Sequence, residues 1–332
     1  MPDPTLAAVI INYDGGSDLA ACVASLRGQG LEAVIVVDNG STDGSPEMIA
    51  GEPDVALVHA PRNLGFAGGA NLGASQSNAD AVLFLNPDIV LEKGCVAALR
   101  RGLAERGGAV APVLAVEASQ RTERGASLNR LGMPIGLIET RPPLYLQGCA
   151  VAIARNAFDA VRGFDDRYFL FVEDVEICWR LLIAGFEVSV ADGARAVHRG
   201  GGSAPGGYLR EGERYQTSAM RVALRERNTI ACFLVCATVR RCLWTIPMIV
   251  GRTCGELGYA LVSRQWTLAR GLISALTWNV GHITSTIRRR HDLRPTDGGR
   301  IDRRAPLRRM VRVPLFMRAL RDHGLPDVDQ SH

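Results

Sequence analysis

From Ala7 to Val116 the chain alternates short, uninterrupted apolar runs with stretches whose apolar residues recur at helical spacing. Ala7–Asn12, Ala33–Asp38, Val55–His59, Ala81–Asn86 and Ala109–Val116 read as strands. Asp18–Arg27, Gly65–Gln76 and Glu92–Glu105 read as helices, and in the first of them Leu19, Cys22, Val23 and Leu26 share one face. Strands that lack polar alternation must be covered on both faces, and strands separated by helices pair in parallel. The pattern predicts an α/β fold, Rossmann-like, with a mostly parallel sheet between two helical layers.

Beyond Val116 the signal changes. Glu117–Pro143 has weak periodicity and reads as a loop. Leu146–Ala154 reads as a strand, Asn156–Val161 as a short helix and Asp174–Ala184 as an amphipathic helix ended by Gly185. Within that helix Glu176 and Arg180 read as an i,i+4 surface pair. Phe186–Ala191 and Ala194–His198 read as two separate strand-like pieces. The run Gly200-Gly201-Gly202-Ser203-Ala204-Pro205-Gly206-Gly207 reads as a hinge. Tyr215–Arg290 is mostly helical and apolar, punctuated by arginine. With 332 residues and about 150 per domain, the chain divides into a unit at 1–205 and a helical, basic region at 206–332.

Composition excludes several classes. Hydrophobic residues at 47% and charged residues at 22% are a globular mix, not a disordered or fibrous one. A net charge of +4 is too mild for a nucleic-acid binder. The charge is uneven, however: Ile287 to Arg321 carries twelve Arg against three Asp, while Lys93 is the one lysine of the chain. The eight cysteines form no CxxC pair and no zinc-ligand spacing, which points to reduced, buried thiols in a cytosolic setting. Met1-Pro2-Asp3-Pro4 lacks the basic start of a signal peptide. No run offers the roughly 18 clean apolar residues of a spanning helix; Thr229–Val250 is interrupted by Arg240, Arg241 and Pro247. Such a segment suits a helix lying in a membrane interface.

In open α/β sheets, ligands bind beyond the carboxyl ends of the strands. Three of those ends are polar here: Asn12-Tyr13-Asp14, Asp38-Asn39-Gly40-Ser41-Thr42-Asp43-Gly44 and Asn86-Pro87-Asp88. A GxGxxG turn after the first strand and a GK[ST] phosphate loop are both missing, so a dinucleotide dehydrogenase and a Walker-type NTPase lose support. Seven segments in order carry a resemblance: VIINYDGG, VIVVDNGSTDGS, RNLGFAGGANLG, LFLNPDI, GCAVAIARNAF, GFDDRYFLFVEDVEICWRL and AVHRGGGS. From about Ala7 to Ser203 the chain resembles the family 2 inverting glycosyltransferases of the GT-A fold, especially their rhamnosyltransferase-like branch.

The resemblance implies a role for each matching position. Asp38 is to accept the N3–H of a uracil or thymine ring; as a residue on its own it suits an Asx turn equally. Asn12 and Tyr13 are to line the same nucleoside. Asn63, Gly65 and Asn71 belong to a segment that either lets the nucleotide approach the backbone or starts a close-packed helix. Asn86-Pro87-Asp88 stands where the family has its DxD motif, so Asp88 is to hold a divalent cation, Mg2+ or Mn2+, on the donor diphosphate. Asn86 replaces the first Asp, removes one anionic ligand and is left a contact to the ribose. His198 is to complete the metal shell, the alternative being a structural histidine. Asp174 matches the family's general base, with Glu173 as second candidate; the plain reading is two acids at a helix N-terminus.

The implied reaction is a single displacement at the anomeric carbon of a nucleotide-diphospho-sugar, dTDP-L-rhamnose or a UDP-sugar, by a hydroxyl of a glycan or polyprenyl-diphosphate-linked acceptor. Tyr168, Phe169 and Phe171 either stack on a sugar face or belong to the core, and Trp179 belongs to the core. The helices at 215–290, with Trp244, Trp266, Trp278 and Arg288-Arg289-Arg290, either dock peripherally on the inner face of the plasma membrane or pack on the catalytic unit or a second copy of the chain. A protein that holds nucleotide sugars without transferring them needs no base, which sets Asp174 against that rival. A sugar-1-phosphate nucleotidyltransferase requires a Gly- and Lys-bearing triphosphate loop that this chain lacks.

Overall fold

A computed structural model describes residues 3–117, 120–129, 132–137, 141–200, 216–293, 301–311 and 327–329. The glycine-rich run from 201 onward, and with it the division at 205, lies outside the described residues. The first half holds β1 (Leu6–Asn12), α1 (Gly16–Leu26), β2 (Ala33–Asp38), β3 (Val55–His59), α2 (Gly65–Ala74), β4 (Ala81–Leu85), β5 (Ile89–Leu91), α3 (Cys95–Arg106) and β6 (Ala109–Val116). It continues through β7 (Arg121–Glu123), β8 (Ala126–Leu128), β9 (Pro134–Gly136), β10 (Ala150–Ala154), α4 (Arg155–Ala160), α5 (Glu173–Ile183) and β11 (Val188–His198). Then come β12 (Gln216–Ser218), α6 (Ala219–Cys236), α7 (Val239–Val262), α8 (Trp266–Gly281) and α9 (Ile283–Asp292).

Among the described residues the main sheet runs β3-β2-β1-β4-β10-β6-β11-β5, with β7 added to β6. Strands β3, β2, β1 and β4 are parallel. β10 is antiparallel to both β4 and β6 and joins the two halves. The alternation of β1 decides the layers. Val9 and Ile11 face one core together with α2, α4 and α5, while Leu6, Ala8 and Ile10 face the other with α1 and α3. The α/β fold with helices on both faces is thus as the sequence predicts.

Several local readings differ. The segment read as a loop carries β7, β8 and β9, each three residues long, too short to show alternation. Likewise β5 has three residues and escapes notice. Leu146–Cys149 is a lead-in and the strand begins at Ala150. The two pieces at 186–198 are one strand, broken only by a shift of register between Ala191 and Arg195. On β6 the shift falls between Pro112 and Val113, and a proline without an N–H is at home beside a bulge.

Glu176 and Arg180 are not a surface pair. Both are fully buried: Arg180 Nε donates to Glu176 Oε1 at 2.7 Å, and its Nη atoms reach the carbonyls of Val161 and Gly163. A guanidinium with three fixed acceptors ties α5 to the loop after α4.

Helix α6 shares the core of the sheet. Ile230, Ala231, Cys232, Phe233, Val235 and Cys236 join the α2–α5 side, and Phe233 meets the Trp179 ring edge-on at 5.3 Å. Helix α7 is locked onto α6 by a buried polar knot, in which Glu226 accepts from Arg252 and from Thr253 Oγ1. Part of the basic tail turns inward: Arg290 and Arg303 donate to the last carbonyls of α6, and Arg309 to the carbonyls of Pro143 and Val188. Among the described residues no helix is long and apolar enough to cross a membrane.

Candidate active site

The register of the parallel strands brings the polar ends together. Asn12 pairs with Asp38, and Asn86 follows Leu85, which lies beside Ile10. Because β10 runs the other way, its start sits at the same edge: Asn86 N donates to Cys149 O at 2.9 Å.

Around β1 and β2 the side chains hold one another. Asn12 is fully buried, and its Nδ2 donates to Asp38 Oδ1, Ser41 Oγ and Ser45 Oγ at 3.2, 3.0 and 2.9 Å. Asp38 is buried too and accepts from Ser41 Oγ at 2.5 Å and from the N–H of Gly40 at 3.3 Å, the bonds of an Asx turn. Asn12 thus acts on Asp38 and on the turn, while Tyr13 stands exposed beside them. Asn63 Oδ1 accepts from Gly65 N at 2.8 Å. Gly65 has φ +69 and a Cβ there would stand 2.2 Å from Phe169 O, so glycine is required twice over. Asn71 is engaged elsewhere, bonded through both side-chain atoms to the backbone of Phe164.

At the β4–β5 junction Asp88 is buried. Its Oδ2 lies 3.2 Å from His198 Nε2, and its Oδ1 accepts no hydrogen bond among the described residues. The partnership follows from strand pairing, because β5 zips antiparallel onto β11 with Ile89 opposite His198, and Asp88 O accepts from Arg199 N. A buried carboxylate oxygen without a donor beside an imidazole nitrogen fits a divalent cation. The protein supplies two donors there, since among the described residues no group of three His, Cys, Asp or Glu is gathered.

Asp174 stands in the first turn of α5. Its Oδ2 accepts from Gly148 N at 3.1 Å and its Oδ1 from Val175 N at 2.7 Å. Burial pushes its carboxyl up to about 6 against those bonds. Burial, and then the charge of Asp174, push Glu173 well above the carboxylate range. Near neutral pH Asp174 therefore carries charge and can take a proton. The Asp88 and Asp174 charges both act on the buried Cys149 thiol, after burial itself.

The turn into α5 is strained. Phe169, Phe171 and Val172 have φ of +60, +68 and +71. Asn228 on α6 holds it: Nδ2 donates to the carbonyls of Tyr168, Leu170 and Phe171 at 2.9, 3.0 and 2.7 Å. Arg227 adds bonds to the carbonyls of Arg167 and Tyr168. Sequence reading missed Asn228. It follows Arg225-Glu226-Arg227 and precedes Thr229, so nothing local sets it apart from an exposed polar turn of the helix.

A cavity of about 340 Å³ opens between these elements, and Asn86, His198, Asp174 and Phe171 line it together with Arg221 and Arg225 of α6. Tyr168 and Trp179 are core residues instead. The arginines of α6 also went unnoticed in the sequence, since nothing local ties them to a site some fifty residues earlier (roughly, in keeping with catalytic groups coming from distant elements).

The fold is that of the GT-A glycosyltransferases. The chain matches the crystal structure of GalNAc-T7 with UDP, GalNAc and Mn2+ with TM-score 0.61 and 14% identity, covering 89% of this chain and 59% of that one. A mannosyltransferase from Pyrobaculum calidifontis, in complex with GDP-Man and Mn2+, matches with TM-score 0.51 and 17% identity over 83% of this chain and 87% of the other. The profile of "Glycosyl transferase family 2" matches residues 7–163. The N-acetylglucosaminyl-diphospho-decaprenol L-rhamnosyltransferase of Mycobacterium tuberculosis is 30% identical over 233 residues, 58% of this chain and 75% of that protein. The chain belongs to glycosyl transferase family 2, in its rhamnosyltransferase-like branch, and is a hexosyltransferase.

Proposed function

We propose that the chain moves L-rhamnose from dTDP-L-rhamnose to a sugar hydroxyl of a glycan or polyprenyl-diphosphate-linked acceptor in cell-envelope polysaccharide synthesis. The reaction inverts the anomeric carbon. The observation that carries this reading is the shared cavity: Asp174, with its carboxyl raised to about 6, lines it with Asn86 and His198, and His198 holds Asp88. The pyrimidine base rests on Asp38, whose orientation Asn12 fixes, with Tyr13 alongside. The acceptor oxygen attacks the anomeric carbon from the face opposite the diphosphate. The bond from that carbon to the phosphate oxygen breaks, and the hydroxyl proton passes to Asp174. Gly148 N and Val175 N aim the carboxylate. A positioned base typically contributes ~10²–10⁴ in rate. A divalent cation, Mg2+ or Mn2+, held by Asp88 and His198 neutralises charge on the departing nucleoside diphosphate when bound.

Beyond α6, which belongs to the catalytic core, we assign helices α7 and α8 to the inner face of the plasma membrane. Leu243 and Trp244, each 70% exposed on α7, and Trp266 on α8 offer the apolar contact. A panel of dTDP- and UDP-sugars, with and without Mg2+ or Mn2+, tests the donor by nucleoside diphosphate release. Release from a UDP-sugar in place of dTDP-rhamnose rejects the donor. An Asp174→Asn enzyme that turns over normally rejects the base. Flotation with anionic liposomes at low salt tests the membrane contact, and a protein that stays unbound rejects it.

A further inference from the structure

Beside the base stands a polar pair that the reaction above does not use. Gln147 follows Leu146, whose N–H donates to Cys178 Sγ at 3.5 Å, and precedes Gly148, whose N–H donates to Asp174 Oδ2 at 3.1 Å. Asp174 and Cys178 are one turn apart on α5. Residues 146–148 therefore run along that face of the helix and carry Gln147 next to the base. Gln147 lines the cavity of about 340 Å³, and so does Glu123 of β7.

The two side chains hold each other. Glu123 is set opposite Leu114 by the pairing of β7 with β6. Its carboxylate lies against the backbone of β9, where Gly136 leaves room: a Cβ there would stand 2.7 Å from Glu123 Oε1 and 2.9 Å from its Cδ. Gln147 Nε2 donates to Glu123 Oε2. As a carboxylate, Glu123 only accepts, so the amide has one way round: its N–H toward Glu123, its Oε1 away from it. That oxygen is buried and accepts no hydrogen bond among the described residues. The cavity thus carries two hydrogen-bond acceptors close together, the Asp174 carboxylate and Gln147 Oε1. A buried acceptor that one ligand satisfies and another leaves bare discriminates strongly between them.

We propose that Gln147 Oε1 accepts a hydrogen bond from the acceptor sugar, from an O–H or N–H on the ring carbon next to the one that is glycosylated. Glu123 is the positioning residue that keeps the amide oxygen turned to the sugar. Because Gln147 adjoins the residue that bonds Asp174, the group it meets is a near neighbour of the hydroxyl that Asp174 deprotonates. The enzyme therefore selects acceptors with two adjacent hydrogen-bond donors. This deepens the function proposed above and rests on Asp174 as the base.

The probes are octyl glycosides of glucose, galactose, mannose and N-acetylglucosamine, together with the analogues of each that lack one hydroxyl or the acetamido group. In wild type, loss of the group that meets Gln147 lowers kcat/KM about ten- to a hundredfold. Gln147→Ala lowers kcat/KM for the parent sugar by a similar factor. For the analogue it lowers kcat/KM less than about twofold, because the bond is already gone. Whether the sensitive analogue lacks a hydroxyl or the acetamido group separates an O–H from an N–H donor. Glu123→Gln keeps the side chain's size and lets the Gln147 amide turn over, since it offers a donor and an acceptor alike. Discrimination between parent and analogue then falls at least about threefold, while dTDP affinity, measured by calorimetry, stays within about twofold of wild type. This variant serves also if Gln147→Ala fails to fold. Losses that simply multiply in Gln147→Ala, discrimination unchanged by either substitution, or a loss of dTDP affinity overturns the assignment. Failure of the underlying reading looks different: transfer to none of the probes by wild type, or normal turnover in Asp174→Asn, removes the proposed function and this inference with it.

Discussion

Asn228→Ala tests whether α6 positions the general base. Phe169, Phe171 and Val172 each hold a left-handed backbone without being glycine. Such residues cost about 1–3 kcal/mol apiece, so the turn stores several kcal/mol that its surroundings must offset. Asn228 Nδ2 has two protons for the carbonyls of Tyr168, Leu170 and Phe171. At about 0.5–1.5 kcal/mol net per hydrogen bond, and with a carbonyl left unsatisfied, its removal costs about 2–3 kcal/mol. That is comparable with the strain of one or two residues, so the turn relaxes and α5 begins with Asp174 misaimed. At 1.36 kcal/mol per tenfold, kcat falls by roughly 30- to 150-fold as an upper value. The Arg227 bonds to the carbonyls of Arg167 and Tyr168 keep the loss from being larger. Donor contacts lie on other elements, so dTDP affinity measured by calorimetry is unchanged. Asn228→Asp, which sets an oxygen against three carbonyls, does at least as much damage. A variant that melts earlier yet keeps kcat within twofold refutes the positioning role and leaves Asn228 a purely structural residue.

Four further outcomes rest on named groups of the site. Because the Asp174 carboxyl is raised to about 6, kcat/KM climbs through that pH to a plateau, and a flat profile from pH 5 to 7 assigns the proton elsewhere. The folded state holds this proton more tightly than the unfolded chain, so its stabilising effect is full below about 3.8 and lost as pH rises through about 6. The stability of Asp174→Asn relative to wild type, from denaturant melts, therefore improves between pH 4 and pH 7. Asp88→Asn abolishes stimulation by Mn2+ or Mg2+, and His198→Ala raises the half-activating concentration tenfold or more; unaltered metal titrations remove the cation from this pair. Gly65→Ala forces a Cβ within 2.2 Å of Phe169 O at φ +69, which costs more than about 2 kcal/mol on backbone conformation and clash together. A melting temperature within a degree of wild type contradicts that.

What the residues disclosed by themselves follows the range of the interactions. Buried parallel strands are contiguous apolar runs, so the sheet and the convergence of Asn12, Asp38 and Asn86 at one edge were legible. So was the start of α5, an amphipathic helix opened by Glu173 and Asp174. The Asp88–His198 contact needed the pairing of β5 with β11, and a strand of three residues leaves no period to read. Glu176 and Arg180 have the spacing of a surface pair; only the packing of the loop after α4 shows them buried. Arg221, Arg225 and Asn228 gain meaning only from a turn that lies far from them along the chain.

The change of chain character near 205 raises the question of whether the α/β unit stands alone. Phe233 is fully buried and set against Trp179, itself a fully buried residue. Ile230, Cys232, Val235 and Cys236 occupy the same core. Losing a buried Phe alone costs about 3–5 kcal/mol, against a typical total stability of about 5–15 kcal/mol, and a chain ending at 205 loses that contact along with the other α6 side chains and the Asn228 clamp. We expect residues 1–205 expressed alone to expose Trp179, to bind the hydrophobic dye ANS and to lose the cooperative melt of the full chain. Ending the chain at 237, which keeps α6 but removes the helices beyond it, leaves the Trp179 pocket filled while stripping the Arg252 and Thr253 partners from Glu226. Its melt is therefore cooperative but lowered. A cooperative melt and wild-type dTDP affinity in residues 1–205 would show the sheet to be self-sufficient and α6 dispensable to it, contrary to the packing of Phe233.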